Sequence, residues 1–202
     1  VFHRDLPVLY RQQIAQGFCE DLCGARCVAT SETASGKRLD EALVKRLTGG
    51  DETNVSHKGS RSFAMVGRFT LCVYTNHKPQ VSGRDGGIWR RLLLFPFDWV
   101  IPEHQKDPGY REKLLDADGP YILAWILEGA RKWYKHQGVV MVGDTVANAT
   151  RDYRRSEDII GQFLAEECSM AEYHETSAGK LREAYEAWCK ANGERTFSGR
   201  AW

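Results

Sequence analysis

The chain has 202 residues, of which 42% are hydrophobic and 11% aromatic, and this composition supports one full packed domain plus a small one rather than disorder. Its formal net charge of +1 provides no overall attraction to nucleic acid or to a membrane surface, so any nucleic-acid contact must be local. No segment approaches the roughly 20 apolar residues that span a bilayer, and the first residues do not resemble a signal peptide, so we expect a cytoplasmic protein without a membrane partner.

Short helices and strands are predicted as far as residue 98. The apolar residues recur at helical spacing in two segments and form continuous β-branched or aromatic runs in two others. In chain order, these elements are a helix over 8–23, a strand over 26–31, a helix over 39–47, a loop or twisted hairpin over 51–68, and strands over 69–75 and 91–97.

Helices are predicted after residue 118, over 119–136, 144–170 and 178–192. The strands therefore precede the helices, which indicates an α/β part followed by a helical part. We place the first part at 1–136, a connecting segment at 137–156 and the C-terminal part at 157–202. The last residues, 197–202, resemble an incoming strand, so this part is either a truncated winged helix or a plain helical lid.

Three cysteines with a spacing of four raise the question of a zinc site. Cys19 and Cys23 would share a helix face, and Cys27 would follow at the start of a strand. No Cys-x-x-Cys or His-x-x-x-His pair lies nearby, although structural zinc sites generally use such close pairs. We therefore interpret the cysteines as core thiols and assign no metal-ligating residue.

Polar side chains follow two of the predicted strands, and two arginines follow in the chain. Glu32 ends the first strand, Asn76 ends the strand over 69–75, and the pair Arg90–Arg91 comes after Trp89 at the start of the next predicted strand. Open α/β sheets place polar groups against a nucleotide at their carboxyl edge. Each residue alone has an ordinary alternative: a surface acid, a turn residue, and one arginine stacked on an aromatic ring with the other solvated.

The chain contains no phosphate-binding loop. Such a loop requires Gly-x-x-x-x-Gly-Lys-Ser/Thr, whereas Gly36-Lys37 is followed by Arg38 and Gly179-Lys180 is followed by Leu181. In a P-loop fold this cradle precedes the carboxylate strand. We therefore expect it upstream of residue 1 in a longer protein, and we expect no ATP turnover by residues 1–202 alone.

The segment 52–68, which precedes the second predicted strand, suits a nucleic-acid backbone. Its glycines, Gly59 and Gly67, allow close approach to a phosphate, and its cations outnumber a single acid, Glu52. The cations are His57, Lys58, Arg61 and Arg68. Such a loop would hold single-stranded DNA without reading its sequence; the alternative is a solvated loop.

Taken together, these segments resemble the phage and plasmid primase family, with the poxvirus primase-helicase as a more distant relative. The similarity covers about residues 20 to 195. It is carried mainly by Leu47-Thr48-Gly49-Gly50-Asp51, Thr75-Asn76-His77-Lys78-Pro79 and Gly87-Ile88-Trp89-Arg90-Arg91-Leu92, together with the segment 30–40. The resemblance implies a superfamily 3 helicase of the AAA+ class. The fold would be a partial P-loop core, a parallel sheet with flanking helices that lacks the P-loop strand.

The resemblance also implies roles for individual residues. Glu32 falls in the Walker B segment, Asn76 is the motif C or sensor asparagine, and Arg90 and Arg91 occupy the arginine-finger segment. The segment after the Walker B strand forms a DNA-tracking hairpin, which makes Lys45, His57, Lys58 and Arg61 the DNA-binding candidates. Family members usually carry an arginine soon after Gly-Gly-Asp, whereas this chain has Asn54-Val55-Ser56-His57-Lys58 there.

Three functions follow as hypotheses. The first is part of a replicative ATP-dependent DNA helicase of a phage, plasmid or mobile element, which would use ATP, Mg²⁺ and single-stranded DNA and assemble as a hexameric ring of identical chains. The second is a non-catalytic fragment for DNA binding and oligomerisation. The third is an unrelated P-loop enzyme or regulator with a similar arrangement of carboxylate, asparagine and arginine.

Overall fold

The computed structural model of the protein describes residues 22, 24–32, 38–55, 63–81 and 86–197. Nearly all of the predicted helix 8–23 therefore lies outside the described residues. The chain divides into two compact units, the first made of Val1–Leu92 with Tyr153–Trp202 and the second of Leu93–Asp152. Their described residues form an α/β fold with one small parallel sheet, one antiparallel hairpin and six α-helices.

The parallel sheet of the first unit consists of two strands that the sequence predicted. Strand β1, Cys27–Glu32, pairs in parallel with the strand Thr70–Thr75, which is β4 in chain order. Val28 lies opposite Leu71 in this pairing. Val28 and Thr30 are buried while the alternating Cys27 and Ala29 are exposed, as expected for a strand with one covered face.

A helix and a hairpin connect these strands. Helix α1, Glu41–Thr48, begins after Asp40, whose side chain accepts a 3.0 Å hydrogen bond from the Leu43 N–H. Strands β2, Glu52–Val55, and β3, Phe63–Val66, pair antiparallel, so of the two alternatives for 51–68 the hairpin is confirmed. One core cluster joins these elements to β1, and its buried members are Leu22, Val28, Leu43, Leu47 and Met65.

The prediction of a strand over 91–97 is wrong. Gly86–Trp89 forms the short helix α2, a turn follows at Arg90–Arg91, and Leu92–Val100 has no regular secondary structure. A strand requires a hydrogen-bonded neighbour, and no described strand pairs with this segment. Pro96 also lacks the N–H that a ladder would use. Among the described residues, the apolar run therefore belongs to no sheet.

The second unit contains a long helix with an uncovered apolar surface. Helix α3, Tyr110–Lys135, starts well before the predicted helix 119–136 and continues through Pro120. A short 3₁₀ helix, Glu103–Gln105, precedes it. None of its residues is buried, and exposed aromatic side chains include Trp125, with 78% of its surface accessible. Among the described residues, no helix has the length and apolar character needed to cross a membrane.

The predicted helix 144–170 is divided into two. Helix α4, Asp144–Glu157, ends one residue before Asp158, which caps helix α5, Ile159–Glu167, by accepting a 3.0 Å hydrogen bond from the Gly161 N–H. The boundary between the two units falls within α4. The predicted domain boundaries around residues 137–157 stay a prediction.

The C-terminal helices of the first unit form a second core cluster. Helix α6, Ala178–Asn192, matches its predicted range and ends at Gly193, which adopts a φ of 71° as a left-handed C-cap. Its residues Tyr185, Trp188 and Cys189 pack with Phe163 of α5. The described chain continues to Phe197 without a further strand. The two predicted alternatives for this part, a truncated winged helix and a helical lid, therefore both remain predictions.

Candidate functional site

The two strands of the parallel sheet bring the backbone of Glu32 close to that of Asn76. Glu32 is the last residue of β1 and lies opposite Thr75, the last residue of β4, and Asn76 follows directly. Because β1 and β4 run in parallel, both positions lie at the carboxyl edge of the sheet. This is where open α/β sheets bind ligands. The structure thus brings together the predicted carboxylate and amide positions.

A local turn fixes the backbone around Asn76. The Thr75 hydroxyl accepts a 3.1 Å hydrogen bond from the His77 N–H and lies 2.9 Å from the His77 carbonyl oxygen, to which it donates. These contacts close a turn immediately after the strand. Asn76 lies within this turn and is exposed to solvent, so its amide is available to a ligand at the edge.

The segment after this turn is attached on two sides. On one side, the Leu39 N–H donates a 2.9 Å hydrogen bond to the Gln80 carbonyl. On the other side, Glu157 of α4 accepts a 2.7 Å hydrogen bond from the Val81 N–H, and the Tyr153 hydroxyl donates to the Pro79 carbonyl. The path of the chain beyond Asn76 is therefore defined by α4 as well as by its own strand.

The Glu157 carboxyl is half-buried in this contact. Burial raises the pKa of Glu157 above its ordinary value, and Glu194 adds to the rise. The Val81 N–H and the Lys78 ammonium lower the same pKa and oppose the effect. Sequence reasoning did not assign a function to Tyr153 or Glu157. Their spacing of four residues on a helix, which places them on one face, is the signal that could have suggested a shared contact.

The arginine pair follows helix α2. Arg91 Nη1 donates a 2.5 Å hydrogen bond to the Gly87 carbonyl, so one guanidinium nitrogen caps the end of the short helix. Arg90 is exposed, and Trp89 just before it is buried. The pair therefore lies on a turn anchored by its neighbours rather than on a strand, which corrects the predicted setting of these two residues.

The hairpin packs tightly against the end of α1. A side chain at Gly67 would place its first carbon 2.5 Å from the Leu47 carbonyl oxygen, so only glycine fits this approach. Gly50 adopts a φ of +79°, which permits the reversal after α1. Of the predicted DNA-binding residues, Lys45 is half-buried in the last turn of α1. The other three, His57, Lys58 and Arg61, lie outside the described residues.

Two cysteine thiols lie side by side on the sheet. The Sγ atoms of Cys27 and Cys72 are 3.9 Å apart on neighbouring strands. Burial raises the pKa of the Cys72 thiol, and the adjacent Cys27 adds to the rise. Within the described ranges, no group of three or more His, Cys, Asp or Glu side chains could hold a metal ion. Cys19 and Cys23, the other members of the considered zinc set, lie outside those ranges.

The residue types at this edge include one acid, Glu32, and one amide, Asn76. A carboxylate and an amide at the ends of parallel strands are suited to the metal and to the attacking water of a nucleoside triphosphate. The phosphate-cradling loop has no counterpart in the sequence.

No protein-family model matches the chain. The chain is similar to a candidate primase from African swine fever virus, with 26% identity over 179 residues that cover 80% of this chain and 18% of the viral protein. It is also similar to a candidate helicase from Acanthamoeba polyphaga mimivirus, with 23% identity over 163 residues, 72% of this chain and 17% of that protein. The chain thus spans less than a fifth of either relative. These distant similarities support a primase- and helicase-related family.

Proposed function

We propose that this chain is part of an ATP-dependent DNA helicase of the superfamily 3, AAA+ class, acting in the replication of a mobile element. The observation that carries the proposal is the parallel register that sets Glu32 opposite Thr75, next to Asn76. The names of the two viral relatives, a primase and a helicase, support the same class of activity. The phosphate-binding loop would come from a part of the protein outside residues 1–202. The matched residues of this chain cover less than a fifth of either viral relative, so there is room for such a part.

The residues at the edge would have separate tasks. ATP and Mg²⁺ would supply the transferable phosphoryl group and the charge that neutralises it. Glu32 would hold the metal through water or accept a proton from the attacking water, and Asn76 would orient that water. Thr75 would keep Asn76 in place through its two hydrogen bonds with His77.

The arginine pair would act on a neighbouring subunit. A guanidinium that stabilises the phosphoryl charge in trans requires a ring of identical chains, and we propose a hexamer. Arg90 is the better candidate for this contact, because it is exposed whereas Arg91 already donates to the Gly87 carbonyl. Such an arginine is worth roughly 10³–10⁵ in the rate of hydrolysis.

The β2–β3 hairpin would contact single-stranded DNA. Its two strands are docked on α1 through the close approach at Gly67. The segment that joins them, 56–62, contains the cations His57, Lys58 and Arg61. Backbone contacts of this kind bind DNA without sequence preference and weaken strongly with salt. A cytoplasmic location accords with this role.

The experiment is steady-state ATP hydrolysis by the longer protein that contains these residues, with and without single-stranded DNA. We expect DNA to stimulate turnover, and Glu32→Gln and Asn76→Ala each to reduce kcat by about 10²-fold or more, the scale of one lost catalytic contact. Glu183→Gln, a change at an exposed acid of α6, is the matched control and should leave kcat unchanged. Full activity of the Glu32→Gln enzyme would contradict the proposal.

A second candidate is a non-catalytic module for DNA binding and oligomerisation, which the missing phosphate-binding loop favours. The same assay separates the two functions. A longer protein that binds single-stranded DNA and forms rings but does not hydrolyse ATP would support the module. Residues 1–202 alone should not hydrolyse ATP under either function.

A further inference from the structure

Helix α4 contacts two segments of the chain, one just after Asn76 and one just before the arginine pair. Its residue Tyr153 is only 5% exposed. The Tyr153 hydroxyl donates to the Pro79 carbonyl, and the Lys78 ammonium lies 5.7 Å from the centre of the Tyr153 ring. Both contacts fall within three residues of Asn76. Tyr153 therefore holds the segment that leaves the edge of the sheet.

The same ring also contacts the element that carries the arginines. The rings of Trp89 and Tyr153 meet edge to face, with centroids 5.2 Å apart and planes at 82°. Trp89 is 7% exposed and immediately precedes Arg90. A displacement of Tyr153 would therefore disturb α2, and with it the turn on which Arg90 and Arg91 lie.

Glu157 completes the contact one helical turn later. Its Oε2 accepts the 2.7 Å hydrogen bond from the Val81 N–H, and Val81 is 2% exposed. The Leu39 N–H donates a hydrogen bond to the carbonyl of Gln80, the residue that precedes Val81. Two consecutive residues are thus fixed by hydrogen bonds. Gln80 bonds to the segment just before α1, and Val81 bonds to the end of α4.

We propose that Tyr153 and Glu157 are positioning residues that hold Asn76 and the arginine pair in a fixed mutual arrangement. The proposal rests on the proposed function, because the arrangement matters only if both groups serve ATP hydrolysis. Helix α4 would then link two catalytic groups. Asn76 would orient water in the site of its own subunit, and Arg90 and Arg91 would reach the site of the next subunit. Neither Tyr153 nor Glu157 touches the reacting groups itself.

The first test is amide hydrogen exchange in the 202-residue chain, which needs no nucleotide. Glu157→Ala removes the acceptor of the Val81 N–H, so exchange at Val81 should accelerate at least 10-fold. Glu157→Gln keeps a side-chain oxygen at the same place and should restore protection to within about 3-fold. The matched control is Glu166→Ala, since Glu166 accepts a 2.8 Å hydrogen bond from Trp188 Nε1 elsewhere in the same unit. This control should leave Val81 unchanged.

Tyr153 is tested through two substitutions that separate its contacts. Tyr153→Phe removes the hydroxyl contact to Pro79 and keeps the ring, so faster exchange should be confined to 77–81. Tyr153→Leu also removes the ring contact to Trp89, so exchange should accelerate over 86–92 as well. Equal exchange at 86–92 in the two variants, or Val81 protection unaffected by Glu157→Ala, would overturn the positioning role.

The second test is ATP hydrolysis by the longer protein. Glu157→Ala should lower kcat about 10-fold with KM for ATP changed less than 3-fold, and Glu157→Gln should restore kcat. This split indicates misplaced catalytic groups rather than lost binding. A wild-type protein without ATPase activity would overturn the proposed function, while the exchange results would still decide whether the contacts position both segments. Normal kcat for Glu157→Ala in an active enzyme would overturn the catalytic consequence.

Discussion

Glu32 lies directly opposite Thr75 in the parallel pairing of β1 and β4, and Asn76 is the residue that follows Thr75. In a parallel pair both strands end at the same edge of the sheet, so the ends of two strands separated by more than 40 residues of chain become neighbours. Helix α1 and the hairpin, which lie between these strands in the chain, contribute Leu43, Leu47 and Met65 to a buried cluster with Val28 of β1. The candidate nucleotide edge thus depends on the register of a two-stranded pairing.

Phe163 should be a principal source of stability in the C-terminal helices. It is fully buried, with its ring 5.4 Å from that of Tyr185 and 6.0 Å from that of Trp188. Phe163→Ala should lower the free energy of unfolding by about 3–5 kcal/mol, the usual loss for a buried aromatic side chain. Urea unfolding followed by circular dichroism measures this. Tyr173→Ala, at an 87% exposed position, is the control and should change stability by less than about 0.5 kcal/mol.

Gly67 should be intolerant of any side chain. Gly67→Ala would place a methyl group 2.5 Å from the Leu47 carbonyl oxygen, so the hairpin must move away from α1. We expect a loss of about 1–3 kcal/mol in the free energy of unfolding, as for an overpacked core. Gly179→Ala in α6 meets no atom within 4 Å and should be neutral or stabilising by up to about 1 kcal/mol. Equal stability of the two variants would refute the close approach.

Asp158 should determine where α4 ends and α5 begins. Asp158→Ala removes the acceptor of the 3.0 Å hydrogen bond from the Gly161 N–H and should cost about 0.5–2 kcal/mol. Asp158→Asn keeps a capping oxygen and should cost clearly less. Thermal unfolding of both variants gives the comparison. An alanine variant as stable as the wild type would show that the cap does not stabilise this boundary.

The stability of the chain should depend on pH through Glu157. Burial raises the pKa of Glu157 in the folded state above the ordinary value of 4.5, so folding favours the protonated form. The contribution of Glu157 is therefore fully present below pH 4.5 and is lost as pH rises through the raised pKa. As the pH rises from 4.5 through the raised pKa of Glu157, the free energy of unfolding of the wild type should therefore fall relative to that of Glu157→Gln.

Lys78 and Glu194 provide the controls for this pH dependence. Because Lys78 lowers the pKa of Glu157, Lys78→Met should move the loss of stability to higher pH. Because Glu194 raises that pKa, Glu194→Gln should move it to lower pH. Urea unfolding at a series of pH values measures both shifts. A difference between wild type and Glu157→Gln that is constant with pH would contradict this account.

The sequence predicted the sheet edge but not what supports it. The strands carrying Glu32 and Asn76 were recognisable because each is a continuous apolar run that ends in polar residues. The run after Arg91 has the same composition but no described strand beside it, because pairing depends on neighbours that local pattern does not reveal. Tyr153 and Glu157 were missed for a related reason. Helical periodicity shows which residues share a face, but their partners, Pro79 and Val81, lie more than 70 residues away.

The central claim is that the ends of β1 and β4 face one nucleotide. The most direct measurement is an experimental structure of the longer protein with Mg²⁺ and a non-hydrolysable ATP analogue. We predict that the Glu32 carboxylate and the Asn76 amide lie within about 2.6–3.2 Å of the terminal phosphate, its metal or its attacking water, directly or through one water. A nucleotide bound away from the carboxyl edge of these two strands would contradict the claim.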